Sequence, residues 1–298
     1  MQGFLFYILY PVVWLVSKLP FPVLYLLSDG IYVVVYYLIG YRKDLVLHNL
    51  KIAFPEKNVD ELKKIRKDFY HHFVDIFMEM IKTFTISEKE LEKRYKFINT
   101  SVIDTLADQN KSIVLIGSHY GNWEWASQLS LFVKHQFVVT YTRIQNKFFD
   151  KWVRSSRERF GCVMVTKSDT LGKVRDNTQK GILSMYGLLS DQSPQLRKTF
   201  YWHDFLGVRV PIHTGAEMIA KKYNCAVVFA QVEKIKRGYY ETSFKLITDT
   251  PRDYADYKIT DIFLQEVEKQ IYDKPEYYFW THNRFKHRGK EKTNFNKK

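Results

Sequence analysis

Four apolar runs, each followed by a segment compatible with a helix, constrain the fold of this 298-residue chain most strongly. They cover residues 113–117, 137–141, 162–166 and 182–189. Strands that alternate with helices are typical of parallel βαβ units, in which helices cover the faces of the sheet. A helix over 214–223 then leads to two strands, 225–235 and 239–247, which a hairpin connects. The pattern predicts an α/β fold with a mixed, mainly parallel sheet flanked by helices.

The first apolar run leads directly into the segment His119-Tyr120-Gly121-Asn122-Trp123-Glu124, which a helix-compatible stretch, 123–133, follows. On a straight helix, residues five apart point about 140° away from each other. A turn must therefore bring the His119 imidazole and the Glu124 carboxylate together, and Gly121 and Asn122 tolerate the backbone conformations of such a turn. We expect Glu124 to orient His119, which then takes a proton from a hydroxyl that attacks an acyl group. In the alternative interpretation His119 caps the helix and Glu124 is a first-turn acid that the helix dipole favours.

A second polar site follows the run at 182–189, in the sequence Ser190-Asp191-Gln192. Sheets of this class bind ligands at the carboxyl ends of their strands. His119 and Asp191 both follow predicted strands, so we expect one site there to contain both. A metal-dependent hydrolase using His119, Glu124 and Asp191 is a weaker alternative, although no cysteine spacing in the chain is typical of a metal site.

Residues 1–40 differ from the rest of the chain in being almost entirely apolar and aromatic, with Lys18 and Asp29 as their charged residues. Three prolines and these two charges interrupt what would otherwise be a transmembrane stretch of about 20 residues. We interpret residues 1–40 as a membrane anchor, formed by one tilted span or two interfacial helices. Arg42 and Lys43 follow at once and favour a cytoplasmic start for the remaining chain. The alternative is a pair of buried core helices.

Charge and cysteine content narrow the possible partners and compartment. Lysines and arginines outnumber acids by 46 to 32, which favours anionic partners such as phosphates, acidic proteins or anionic lipids. Cys162 and Cys225 lie in separate apolar runs, which fits unreactive thiols in a reducing compartment. Capping boxes at 58–61 and 87–90 predict two scaffold helices within a helical lead-in, 41–100. The residues from 284 to 298 form a basic tail that we expect to fray.

Motifs along nearly the whole chain resemble those of the bacterial lipid A biosynthesis acyltransferases, which are related to the glycerolipid acyltransferases. The motifs are Tyr41-Arg42-Lys43, Leu47-His48-Asn49-Leu50, Phe54-Pro55-Glu56, the segment from His119 to Glu124, Tyr141-Thr142-Arg143 with Asn146, Asp191-Gln192, Phe205-Leu206-Gly207, Thr214-Gly215-Ala216-Glu217-Met218-Ile219-Ala220, Pro275-Glu276-Tyr277-Tyr278-Phe279-Trp280 and Arg284-Phe285-Lys286. The resemblance implies a glycerolipid acyltransferase-like fold over 41–298, preceded by the membrane anchor, 1–40.

The resemblance also implies an activity and assigns roles. A lauroyl- or myristoyl-type enzyme would transfer a fatty acyl group from an acyl carrier protein thioester to a hydroxyl of a lipid A precursor, without a cofactor. His119 and Glu124 would be catalytic. Asn122, Arg157 and Asp191 would bind substrate, with Asp191 pairing with Arg157 or orienting the site. We expect backbone N–H groups of the Gly121-Asn122 turn to stabilise the charge on the thioester oxygen, and no covalent acyl-enzyme to form.

The resemblance implies a location at the cytoplasmic face of the bacterial inner membrane, with acyl carrier protein, a lipid A precursor and membrane lipids as partners. We expect no nucleic-acid partner, since the chain lacks helix-turn-helix and RNA-binding patterns. Two other functions remain open at this point. The first is acylation of an aminolipid or another glycolipid. The second is a non-catalytic membrane protein that binds anionic lipid.

Overall fold

A computed structural model describes residues 2–291 of the chain, with side chains from residue 7 onward. Within this range seven strands form one sheet in the order β1-β9-β8-β2-β5-β3-β4, and β6 and β7 form a separate antiparallel pair. The strands are β1 (Tyr95–Ile98), β2 (Ile113–Gly117), β3 (Gln136–Tyr141), β4 (Val163–Thr166), β5 (Ser184–Leu189), β6 (Trp202–Phe205), β7 (Val208–Pro211), β8 (Ala226–Lys236) and β9 (Tyr239–Thr248). In the seven-stranded sheet all neighbours are parallel except β8 and β9. The predicted α/β class with a mixed, mainly parallel sheet is confirmed.

Helices cover the sheet and build the N-terminal part of the molecule. They are α1 (Gln2–Lys18), α2 (Phe21–Val33), α3 (Lys43–Ala53), α4 (Val59–Lys82), α5 (Glu88–Arg94), α6 (Ser101–Asp108), α7 (Lys147–Glu158), α8 (Thr170–Gln179), α9 (Gly215–Tyr223) and α10 (Lys258–Asp273). The predicted capping box at the start of α4 is present, because Asn58 and Glu61 each accept from the other's backbone N–H. At the start of α5, Ser87 accepts from the Glu90 N–H.

The strand β2 lies at the centre of the sheet, between β5 and β8, and all five of its residues are buried. A strand covered on both faces needs an apolar sequence throughout, which the run Ile-Val-Leu-Ile-Gly supplies. Its last residue, Gly117, is level with Leu189, the last residue of β5. The segments that leave these two strands therefore begin side by side at one edge of the sheet.

The predicted α-helix over 123–133 is wrong in type and length. The chain there forms a 3₁₀ helix, Trp125–Leu131. The Ser127 and Ser130 hydroxyls each donate to the carbonyl three residues earlier, on Glu124 and Ser127. Serines that bond to nearby backbone carbonyls compete with regular α-helical hydrogen bonding, which favours short, tight turns.

The C-terminal segment after α10 supports the turn that follows β2. The Gly121 N–H donates to Tyr277 and the Phe279 N–H donates to the His119 carbonyl. Asn49 on α3 in turn donates to the carbonyls of Trp280 and His282.

Arg284, where the basic tail was expected to begin to fray, is 1% exposed and donates to the Pro211 carbonyl. The expected fraying is therefore wrong at Arg284, because this side chain is packed against the β7 end. The final part of that tail, 292–298, lies outside the described residues.

The N-terminal helices pack against α4 through a narrow face. Phe21, Leu24, Tyr32 and Tyr36 are buried in the same apolar core as Phe73 of α4. From α2 the chain continues as a π-helix, Val34–Ile39, so that residues 21–39 form one apolar helical stretch of 19 residues with mean hydropathy 1.6. This stretch is long and apolar enough to cross a membrane, and 22% of its most apolar window is buried.

Candidate active site

A cavity of about 760 Å³ opens at the carboxyl ends of β2, β3 and β5. Its wall is mostly apolar, and the polar side chains that line it include Ser118, His119, Glu124, Arg157 and Gln192. An apolar cavity with a few converging polar groups is the usual form of a ligand site.

His119 is held by Asp191. The imidazole Nδ1 lies 2.8 Å from Asp191 Oδ1, and the His119 backbone N–H donates to the same oxygen over 3.1 Å. The Asp191 side chain is 1% exposed, whereas 20% of the His119 side chain remains accessible. Burial opposes ionisation of Asp191, but His119 and the backbone N–H groups around the carboxylate outweigh it and hold its pKa below the ordinary value. The paired nitrogen is fixed as Nδ1, which leaves Nε2 for a substrate.

Glu124 does not orient His119 in the structure, contrary to the expectation from the sequence. Its Oε2 atom lies 2.5 Å from a guanidinium nitrogen of Arg157, on α7. The two side chains are 15% and 16% exposed, so the ion pair is largely shielded from water. The expected pairing of Asp191 with Arg157 is wrong for the same reason, because Asp191 bonds to His119 and Arg157 bonds to Glu124.

Asn122 does not face the cavity, contrary to its expected role in binding substrate. It is fully buried; its amide donates to Glu79 Oε2 over 2.6 Å, and its Oδ1 atom accepts from the Trp125 N–H. The second bond satisfies the N–H of Trp125, the first residue of the 3₁₀ helix. Asn122 therefore fixes the turn between His119 and Glu124 from behind the site.

The conformation of the turn also requires a glycine at position 121. Its φ is +58°, and a Cβ at this position would lie 2.8 Å from Val232 Cγ1. Only glycine fits both the left-handed backbone and the close approach. Because its N–H donates to the Tyr277 carbonyl over 3.0 Å, it is not available to stabilise an oxyanion as expected.

Glu79, on α4, is an important residue of the site's support that sequence reasoning missed. Besides Asn122, its carboxylate accepts from the hydroxyls of Tyr25 and Tyr240. Burial raises the pKa of Glu79 to about 7. The sequence contained one signal for the role of Glu79. This residue lies three positions after Ile76 on the apolar face of a helix, where burying an unpaired acid would be costly, so a buried partner was to be expected.

Other reactive side chains near the site are held in neutral forms. Burial raises the pKa of Cys162 to about 12, and its Sγ donates to the Arg157 carbonyl. Burial lowers the pKa of His213, which lines the cavity, and of His282 to about 4. Within residues 2–291 no group of three or more His, Cys, Asp or Glu side chains is placed to hold a metal ion.

Comparisons with known proteins agree along the length of the chain. A model of the family described as bacterial lipid A biosynthesis acyltransferase matches residues 1–287. The chain is 26% identical over 284 residues to the lipid A biosynthesis lauroyltransferase of Escherichia coli (strain K12), covering 93% of this chain and 90% of that protein. It is 23% identical over 283 residues to the lipid A biosynthesis palmitoleoyltransferase of the same organism, covering 93% and 89%. A lipid A biosynthesis acyltransferase of Shigella flexneri matches to the same extent.

Proposed function

The chain belongs to the bacterial lipid A biosynthesis acyltransferase family, and from that premise we propose that it transfers a fatty acyl group from an acyl carrier protein thioester to a hydroxyl of a lipid A precursor. The family supports acyl transfer in lipid A biosynthesis with a lipid A precursor as acceptor. We further propose an acyl carrier protein donor, His119 as general base, a location at the inner membrane and a lauroyl- or myristoyl-type acyl chain.

The observation that carries this proposal is the His119–Asp191 pair at the edge of the cavity. A buried carboxylate on Nδ1 fixes the imidazole tautomer, so that Nε2 can accept a proton. A general base of this kind contributes about 10²–10⁴-fold to a reaction rate. We therefore assign the orienting role to Asp191 and keep His119 as the general base.

In the proposed reaction the acceptor hydroxyl gives its proton to His119 Nε2 while its oxygen attacks the thioester carbonyl carbon. The carbon–sulfur bond then breaks, and the departing sulfur takes the proton back from the imidazolium. The products are an ester and a free thiol. Asp191 remains ionised throughout and stabilises the charged imidazolium, since its pKa is held low by the same contacts.

The negative charge that develops on the thioester carbonyl oxygen needs a hydrogen-bond donor other than the Gly121 N–H, which is already bonded to Tyr277. The Arg157 guanidinium lines the cavity and has donors beyond the nitrogen that binds Glu124. We assign it to the carbonyl oxygen of the donor or to a phosphate of the acceptor, with Glu124 fixing its orientation. A planar guanidinium suits either group.

The surrounding surface supports the proposed partners. The formal net charge of +14 attracts acidic acyl carrier protein, the phosphorylated acceptor and anionic lipids. The apolar N-terminal stretch supports location at the inner membrane, with the division into an anchor, 1–40, and an acyltransferase domain, 41–298. The basic residues after it, Arg42 and Lys43, support the cytoplasmic face.

The test is acyl transfer by the purified full-length enzyme. Acyl carrier protein and coenzyme A thioesters of several chain lengths are each incubated with a lipid A precursor, an aminolipid and an unrelated glycolipid, and the products are read by mass spectrometry. We expect a new ester on the lipid A precursor with the carrier protein donor, and its loss in His119→Ala. An unchanged product yield in His119→Ala would contradict the mechanism.

A second assay tests whether the acyl group passes directly from donor to acceptor, without a covalent acyl-enzyme. Neither Ser118 nor Cys162 has an activating base bonded to its side chain among the described contacts, and burial keeps the Cys162 thiol protonated. We expect no labelled protein when the enzyme is quenched with radiolabelled acyl donor in the absence of acceptor. Detection of a labelled acyl-enzyme would contradict direct transfer and indicate a two-step reaction through a covalent intermediate.

A further inference from the structure

We propose that the N-terminal helices lie along the membrane surface and enter one leaflet only, so that the protein is a monotopic enzyme with no transmembrane span. This inference deepens the proposed function and rests on its membrane location. It concerns α1, α2 and the π-helix that follows, which we call the N-terminal strap (residues 2–39).

The side of the strap that faces away from the protein is almost entirely apolar. Of its residues from 7 to 39, Lys18 is the one exposed charged residue, and the Asp29 side chain, 43% exposed, is paired with Arg237. Leu15, Leu26 and Leu38 are 60%, 71% and 75% exposed, whereas Ser17 and Ser28 are at most 1% exposed. This arrangement is the reverse of a surface that faces water. It suits a hydrocarbon neighbour.

Polar contacts along the middle of α2 tie it to the catalytic body. The Arg237 guanidinium, at the β8–β9 hairpin, binds Asp29 over 2.6 Å and Asp75 over 2.7 Å. The Ser28 hydroxyl donates to Asp75, and the Tyr25 hydroxyl donates to Glu79. These contacts fall within residues 21–39, the stretch long enough to span.

A spanning α2 would draw these partners into the bilayer. The helix α4, which packs along α2, places Asp75 beside Ser28, near the middle of residues 21–39. The hairpin contributes Lys234 and Arg237. Charged side chains at the centre of a bilayer are energetically costly. An orientation with α2 parallel to the membrane avoids this cost, because its apolar side enters the leaflet while α4 and the hairpin stay outside.

The helix α1 is also held against the body. The Tyr10 and Trp152 rings, on α1 and α7, lie 4.7 Å apart between centroids. At its end, Lys82 of α4 donates to the carbonyls of Ser17 and Leu19. With 17 residues and an internal proline, α1 would extend about 26 Å, which is shorter than the hydrocarbon core of about 30 Å.

The chemistry of the strap identifies an anionic bilayer as its occupant. Trp14 and Tyr37 are 40% and 55% exposed, and such rings favour the headgroup level. Lys18 lies at the junction of the two helices, and exposed Arg42 follows the strap. Basic residues at these positions are attracted to an anionic membrane surface.

Cysteine labelling distinguishes this orientation from any crossing by residues 21–39, which would place residues 18 and 44 on opposite sides of the membrane. Lys18→Cys and Asp44→Cys are suitable, because both positions are exposed while Cys162 and Cys225 are 4% and 2% exposed. The unsubstituted protein gives the background. A membrane-impermeant maleimide is added to intact spheroplasts and to inverted inner-membrane vesicles.

We expect both variants to be labelled only in inverted vesicles. Labelling of Lys18→Cys in intact spheroplasts would overturn the proposal, because residue 18 would then be periplasmic. Acyl transfer is measured in the same membranes. Lack of that activity would count against the proposed function, whereas the labelling pattern alone decides whether residues 21–39 cross the membrane.

Flotation of the purified protein with phosphatidylglycerol-containing vesicles tests the lipid contact itself. We expect Leu26→Ser with Leu38→Ser to lower the bound fraction at least five-fold, and Leu246→Ser, exposed on β9 to 43%, to leave it unchanged. If the double variant instead bound vesicles normally but converted a stable dimer to a monomer in size-exclusion chromatography, the strap would be a protein interface and the proposal would fail.

Discussion

His119 Nδ1 and Asp191 Oδ1 lie 2.8 Å apart although the residues are 72 positions apart in the chain. The contact exists because the two strands that precede them, β2 and β5, are parallel neighbours that end level with each other. Residues just beyond two such strands meet at one edge of the sheet. Asp191 is buried, and both its bonds to His119, from the imidazole and from the backbone N–H, are made by the same carboxylate oxygen.

Asp191→Asn should lower kcat by about 10²–10⁴-fold, because an amide cannot hold the imidazole in the same tautomer or stabilise its charged form. Steady-state kinetics with acyl carrier protein donor and lipid A precursor measures the loss. Asp169→Asn is the matched control, since Asp169 follows strand β4 but is exposed to solvent. A kcat for Asp191→Asn within two-fold of the unsubstituted enzyme would contradict the assignment.

Glu124 and Arg157 should behave as one unit in a double-mutant cycle. Glu124→Gln and Arg157→Lys are each expected to raise KM or lower kcat. The double variant should lose less transition-state stabilisation than the two single variants lose together, and the coupling free energy should be about 1–3 kcal/mol. The more exposed pair Arg154–Glu158 on α7 gives the control, and its coupling in transition-state free energy should be near zero, because neither residue lines the cavity. Additive effects at Glu124 and Arg157 would show that the ion pair does not position the guanidinium.

Gly121→Ala should lower the free energy of unfolding by about 1–3 kcal/mol, because the left-handed backbone is strained for alanine and its Cβ meets Val232. Chemical denaturation in detergent measures this loss. Gly172→Ala in α8, where a Cβ meets nothing within 4 Å, should instead stabilise the protein by about 0.4–1 kcal/mol. In a Val232→Ala background Gly121→Ala should cost less than in the unsubstituted protein, since the contact is relieved, but it should still cost stability, since the backbone strain remains. No cost of Gly121→Ala in that background would refute the backbone argument.

Glu79 should make stability depend on pH. Burial raises its pKa from 4.5 to about 7, so the folded protein keeps a proton that the unfolded chain releases between these values. The contribution of Glu79 to the free energy of unfolding is therefore full below pH 4.5 and falls as the pH rises to about 7. Relative to the unsubstituted protein, Glu79→Gln should gain stability over that interval.

Denaturation curves at several pH values between 4.5 and 8 provide the measurement for Glu79. Glu92→Gln, an exposed position on α5, is the control and should show no change in pH dependence relative to the unsubstituted protein. A difference between Glu79→Gln and the unsubstituted protein that stays constant with pH would mean that Glu79 does not hold a proton in the folded state.

Local patterns of the sequence determined the elements and the place of the site. The run 113–117 is observed as β2 without a shift in either bound, because five consecutive apolar residues fit a strand buried on both faces. Gly121 marked the turn after it correctly, since positive φ is a property of the residue itself. These features depend only on residues that are adjacent in the chain, so the sequence alone determines them.

Tertiary structure alone decided which side chains meet. Asp191 rather than Glu124 holds His119 because strand order sets the distances at the sheet edge, and no spacing in the sequence encodes that β5 lies beside β2. The same applies to Glu79 behind the turn and to Asp29, whose ion pair with Arg237 turns the apolar side of α2 outward. Such contacts follow from the packing of distant segments, whereas the sequence records only the residue types that take part in them.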